Sequence, residues 1–315
     1  MGPCVSPLQS ASEYRLVPTS GSVVSQGGIT VELKGGLGNQ LFIYGAGLAA
    51  SATTETLLGL DLSWFRRQSK RQYELNSFHH LGVEEQWVDV TGRSFPMSWS
   101  KNARSRRVPV VKETSFDYTP EFWNIRPGTY LSGYFQSWRY LEPVAEQVRA
   151  SVLDLLTPSE WFTAIDRQLA SLGPWVSCHV RRGDYLVEPY KSVHGVVGSD
   201  FYRAAFSEVK NLVGSLPVVV FSDDITDARR TLDFLGEGAI FIESPAGSRP
   251  IESLILMSRS SASIIANSSF SWWSAWLSDH SNKVVVAPDP WFNGEYSHVV
   301  DLIPPHWRTI RRKMS

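Results

Sequence analysis

Cysteine is nearly missing from this chain. Cys4 and Cys178 are the only two in 315 residues, and neither has a Cys-x-x-Cys partner or a histidine at zinc-ligand spacing. Reduced thiols and no structural metal are expected. Charge of one sign is lacking too: 30 Lys plus Arg balance 31 Asp plus Glu, a formal net charge of -1. No global field therefore draws in nucleic acid or an anionic membrane, and any anion site must be local. No apolar run reaches the roughly 18 residues that cross a bilayer, and the N-terminus has no basic region ahead of an apolar core. These absences predict a cytoplasmic chain without a transmembrane segment. They remain compatible with peripheral association at the inner membrane face.

With 43% hydrophobic and 19% charged residues, the chain can bury a large core, and its length suits two domains with a cleft between them. The 12 tryptophans have flat faces that suit sugars, although most such side chains serve as core.

Residues 1–28 are rich in Ser, Gly and Pro without hydrophobic period, and are expected to form a disordered tail. Residues 29–155 would form an N-terminal α/β domain. Ile29, Val31 and Leu33 alternate as in a strand, and Leu41 to Ala52 read as a helix. The stretch from Leu62 to Thr119, with a basic run at Arg104, Arg106 and Arg107, shows no clear period. Thr129 to Phe135 reads as a strand leading into a helix near Gln136. Residues 156–315 are more legible. Strands are expected at Trp175–Val180, Leu216–Phe221, Ala239–Ile242, Ser263–Ala266 and Lys283–Ala287, with helices near Thr226–Leu235, Ile251–Ser258 and Phe270–Ser278. Such alternation implies parallel strands with right-handed crossovers, a doubly wound α/β sheet.

Ligands of such sheets bind beyond the carboxyl ends of the strands. Four strand ends are unusual. The first carries Gly35, Gly36, Leu37, Gly38, Asn39 and Gln40, which either cradle a phosphate or only make a tight turn. The second carries His179, Arg181, Arg182 and Asp184. Neighbours on a strand point oppositely, so one guanidinium can be held by Asp184 while the other forks onto a diphosphate; a surface ion-pair cluster is the alternative. The third ends in Asp223 and Asp224. No further acidic or histidine ligand makes these a metal site, so a helix cap and a hydrogen-bond acceptor for ribose or base are the readings. The fourth is Asn267, Ser268, Ser269, Phe270, Ser271, Trp272 and Trp273, where a cap and an anion cradle at a helix start are both available.

In order, GGLGNQLFIYG, GYFQSWRYL, HVRRGDYL with HGV at His194 to Val196, FSDD and ANSSFSWWSAWL resemble the alpha-1,2-fucosyltransferases, family 11 of the glycosyltransferases, from about Val31 to Ala287. The resemblance implies a GT-B-like pair of Rossmann-like domains, acceptor-side in residues 29–155 and donor-binding in residues 156–315. It implies inverting transfer of fucose from GDP-fucose to the 2-hydroxyl of a terminal galactose on a glycan, without a metal or other cofactor, in protein or lipopolysaccharide glycosylation. Carried onto this chain, Arg181 and Arg182 would meet the diphosphate and guanine side, supported by Asp184. Gly36, Gly38, Asn39, Gln40, His179, Asp223, Asn267, Ser268, Ser269 and Phe270 would line the donor site. Asp184, Glu188 and His194 are the candidates for the base. A carboxylate tied to arginine accepts a proton poorly, whereas a histidine ordinarily titrates in the useful range. A transferase of another nucleotide sugar, or a non-catalytic glycan- or nucleotide-binding protein, would share much of this pattern.

Overall fold

The computed structural model describes residues 27–68, 70–77, 84–86, 108–154, 157–278, 283–298 and 301–313. All but the last two residues of the expected tail, and the basic run at Arg104, Arg106 and Arg107, lie outside these residues.

The first parallel sheet begins with β1 (Ile29–Glu32), which leads into α1 (Leu37–Thr54). After them come β2 (Leu58–Asp61), α2 (Ser63–Arg66), β3 (Glu84–Gln86), β4 (Val110–Lys112) and β5 (Tyr130–Ser132). Its strand order is β3-β2-β1-β5-β4. β3 and β4 fall in the stretch without legible period, because three-residue strands are too short to display an alternation. α1 starts four residues earlier than the apolar pattern suggests, since Gln40 N already donates to Gly36 O at 3.0 Å. Gly38, Asn39 and Gln40 thus stand on its first turn. The helix expected near Gln136 is delayed: single 3-10 turns at Trp138–Tyr140 and Glu142–Val144 precede α3 (Ala145–Leu153). Ser137 caps the first turn, and Pro143, with no N–H, sits in the second. α4 (Glu160–Ala170) then leads to the second sheet, its N-cap Ser159 accepting from Phe162 N.

That sheet contains β6 (Val176–Val180), α5 (Tyr190–His194), α6 (Ser199–Val213), β7 (Val218–Ser222), α7 (Ile225–Thr231), β8 (Ala239–Ile242), α8 (Pro250–Ser258), β9 (Ala262–Ile264), α9 (Ser269–Trp276), β10 (Val284–Asp289) and β11 (Arg308–Arg311). The order β11-β10-β9-β6-β7-β8 is entirely parallel. It is the doubly wound arrangement, with the chain reversing its direction of travel between β6 and β9. Every strand anticipated in this half is present within a few residues. The edge strand β11 escaped notice because Arg308–Arg311 is largely exposed and polar.

Helices α1 and α9 meet between the sheets. The Phe42 ring lies 4.5 Å from Trp272 and 5.1 Å from Trp273, and both tryptophans are fully buried. They are core residues, each large apolar side chain worth roughly 1.5–3 kcal/mol on burial. The halves form the GT-B-like pair of Rossmann-like sheets, with a cleft between them.

Candidate active site in the cleft

Each sheet has its switch point, β1 beside β5 and β6 beside β9, and the residues following these strands share one cavity of about 650 Å³. From the first sheet come Gly36, Gly38 and Asn39, facing Tyr134 and Gln136. Gly35, with φ +79°, makes the turn that lets the chain leave β1 toward α1. Gly38 has a different reason to lack a side chain. A Cβ there would lie 2.5 Å from the backbone carbon of Ser269, so the two walls touch at this glycine. Asn39 joins them, its Oδ1 accepting from Gln136 Nε2 at 2.7 Å and from Ser269 Oγ at 2.8 Å.

From the second sheet come His179 within β6, Arg181 and Asp184 after it, Asp223 after β7, and Ser268, Ser269 and Phe270 after β9. Arg181 reaches into the cavity. Its NH1 sits 3.0 Å from Asp223 Oδ2 and its NH2 pairs with Asp184, while Nε is buried without a partner among the described residues. Burial alone would lower this pKa, but the facing Asp223 and Asp184 carboxylates raise it, so the guanidinium stays charged.

Arg182 points the other way. Only 3% exposed, it pairs with Asp227, donates to Thr231 Oγ1 at 2.6 Å and to Arg181 O at 2.8 Å, and does not reach the cavity. The expectation that both arginines meet the donor is therefore corrected for Arg182: the backbone alternation that turns Arg181 inward turns its neighbour onto α7. Gln40 and Asn267 likewise stand behind the cavity wall. Gln40 Nε2 donates to Gly35 O at 3.0 Å and Gln72 O at 2.8 Å, and its Oε1 accepts from Glu74 N at 2.9 Å. Asn267 Nδ2 donates to His194 O at 2.7 Å and Trp291 O at 3.2 Å. Both side chains position the loops that line the site. Asp223 Oδ1 accepts from Arg182 N at 2.8 Å, so each of its oxygens has an arginine partner. Asp224 caps α7 by accepting from Asp227 N at 2.9 Å. Ser268 is the N-cap of α9 but makes no side-chain cap bond.

The histidines depart most from expectation. His194 stacks on Tyr185 with ring centres 4.4 Å apart and planes at 10°, and also lines the cavity. Burial lowers its pKa to about 4; Asp184 opposes the shift, and Arg181 and Arg312 reinforce it. The titration near neutrality expected from its residue type is thus absent, and the imidazole is a weak proton acceptor. His179 is pushed down to about 3 by burial and by Arg181 and Arg182. Glu188 is exposed, accepts from Ser192 N at 3.2 Å, and does not line the cavity.

Trp64, Arg71, Glu74 and Tyr190 are among the cavity residues that carried no sequence signal. Arg71 pairs across the cleft with Asp184, and burial raises the Glu74 pKa against the pull of Arg71. In sequence they are scattered polar and aromatic residues of unpatterned stretches, indistinguishable from surface. Among the described residues no cluster of three or more His, Cys, Asp or Glu forms a metal site, and no helix is long and apolar enough to cross a membrane.

Comparison with known proteins finds glycosyltransferases. The O-antigen biosynthesis glycosyltransferase WbnK of Escherichia coli is 29% identical over 291 residues, covering 83% of this chain and 94% of that protein. An alpha-1,2-colitosyltransferase of Escherichia coli is 28% identical over 305 residues, covering 90% and 99%. A galactoside alpha-(1,2)-fucosyltransferase 1 of Alouatta belzebul is 27% identical over 154 residues, covering 47% of this chain and 42% of its own. The profile of glycosyl transferase family 11 matches residues 113–311, which include the arginine strand end, the serine-rich helix start and most of the cavity wall, and the chain belongs to that family.

Proposed function

We propose that this glycosyltransferase moves fucose from GDP-fucose to the 2-hydroxyl of a terminal galactose on a glycan, with inversion and without a divalent metal. The observation that carries the reading is Arg181, a charged and partly buried guanidinium at the switch point of the second sheet, lining the same cavity as the start of α9. As the bond from the fucose anomeric carbon to phosphate breaks, negative charge grows on GDP. Arg181 and the first-turn backbone N–H groups of α9, at Ser269 and Phe270, would stabilise it, one such donor being worth about 3 kcal/mol. The acceptor oxygen forms the new bond from the opposite face of the sugar and releases its proton to a base. Residues 29–155 would present the acceptor and residues 156–315 the donor, with Gly36, Gly38 and Asn39 closing the sugar side. Sequence kinship with transferases of alpha-1,2-linked fucose and colitose supports the linkage.

That kinship also favours a second donor, GDP-colitose, since colitose is fucose without its 3-hydroxyl and would fit the same cavity. The test offers GDP-fucose, GDP-colitose and UDP-galactose with lactose and other galactose-terminated glycans, with and without EDTA, measures GDP binding, and maps the linkage formed. An alpha-1,2-fucosyl product, undiminished by EDTA, supports the reading. A preference for GDP-colitose would transfer the assignment to that donor. Preference for a UDP-sugar would overturn the donor assignment, and GDP binding without transfer to any acceptor would favour a binding protein.

A further inference from the structure

Arg181 is less free than its place suggests. Each terminal nitrogen gives one of its two N–H groups to a carboxylate, NH1 to Asp223 at 3.0 Å and NH2 to Asp184, and Nε is buried without a partner among the described residues. Arg71, Arg181, Asp184 and Asp223 together have no net charge, so while both carboxylates hold Arg181 the cluster offers a diphosphate no net positive charge. The other guanidinium in this cluster belongs to Arg71 on the opposite wall, which shares Asp184 with Arg181. Its side chain is 41% exposed, against 19% for Arg181, so it can leave the carboxylate at lower cost. Its backbone is fixed on both sides. Gln68 Oε1 accepts from Arg71 N at 2.8 Å, and Gln40 Nε2 donates to the next carbonyl, Gln72 O, at 2.8 Å. The guanidinium lies over the glycine turn, NH1 only 3.7 Å from where a Gly36 Cβ would be.

We infer that Arg71 is a second diphosphate-binding residue: when the nucleotide enters, its guanidinium moves from Asp184 to the phosphates and draws the first sheet onto the donor. The inference rests on the GDP-sugar reading above and adds the residue by which the N-terminal half takes hold of the donor. Planar forked donors suit phosphate oxygens, and an arginine supplied from a facing wall couples binding to closure.

The test titrates GDP and guanosine into the wild type, Arg71→Ala and Arg71→Lys by calorimetry or ligand-observed NMR, alongside kcat and KM for GDP-fucose. Arg71→Ala is expected to weaken GDP at least tenfold, leave guanosine within twofold, and flatten the salt dependence of GDP binding. Arg71→Lys should restore part of the loss, because the charge remains without the fork. Circular dichroism and Tm establish that each variant is folded. If folded variants bind GDP within twofold of wild type, or if guanosine weakens as much as GDP, the inference is overturned. Failure of the wild type itself to bind GDP would overturn the donor reading, and the inference with it.

Discussion

Replacing Gly38 with alanine tests whether the contact between the two walls sets catalytic geometry. The added Cβ would stand 2.5 Å from Ser269 C, 2.6 Å from Phe270 N and 2.7 Å from Ser269 O, all backbone atoms, where ordinary contact begins at 3.4 Å. No rotamer can relieve this, so α1 and α9 must part by the difference, about 0.9 Å. The hydrogen bond from Ser269 Oγ to Asn39 Oδ1, now 2.8 Å, would then be stretched past its useful length. A displacement near 1 Å between groups that hold the reacting parts costs on the order of a hundredfold in turnover. Overpacking costs about 1–3 kcal/mol, or several degrees in Tm for a protein of this size. Steady-state kinetics with GDP-fucose and a galactoside, together with thermal unfolding, should show a folded variant with turnover down about a hundredfold. Gly198→Ala is the control: nothing lies within 4 Å of its Cβ position. Wild-type turnover in Gly38→Ala would refute the idea that this contact fixes the cleft.

The two arginines should fail in different assays. Arg181→Ala is expected to lose about a hundredfold in turnover, near 3 kcal/mol, while remaining folded. Arg182→Ala removes a buried guanidinium from its pair with the partly exposed Asp227 and from Thr231, so about 2 kcal/mol of stability should be lost in urea unfolding. The reverse pattern would show that their directions are misassigned. Acid should destabilise the protein through His179 and His194. Their folded pKa values of about 3 and about 4 lie below the ordinary 6.5, so the unfolded chain takes up protons that the folded chain refuses. This contribution is complete above pH 6.5 and is lost as pH falls toward 4, at about 1.4 kcal/mol per pH unit for each histidine. Urea midpoints between pH 7 and 5 should therefore fall less steeply for His194→Gln than for wild type, and equal slopes would refute the burial argument.

The doubly wound plan of the second half was legible in sequence because β6 to β10 are β-branched, apolar and separated by helix-length segments. Local pattern also named the strand ends where the cavity opens, since glycine turns, paired arginines and serine-rich helix starts are unusual within a few residues. Side-chain direction at those ends was not legible. Arg181 and Arg182 are adjacent, and only the docking of α7 through Asp227 and Thr231 decides which is buried. Gln40 and Asn267 belong to the motifs yet serve as struts, because their partners Gln72 and Trp291 lie 32 and 24 residues away. The same distance in sequence hid Arg71, whose partner Asp184 is 113 residues on. Residue type set the ordinary basicity of His194, and burial with its neighbours then moved it. Composition and short-range period thus determined the elements and where their ends could carry chemistry. Which groups meet, and with what charge, depends on contacts between distant segments that exist only once the two sheets have closed on each other.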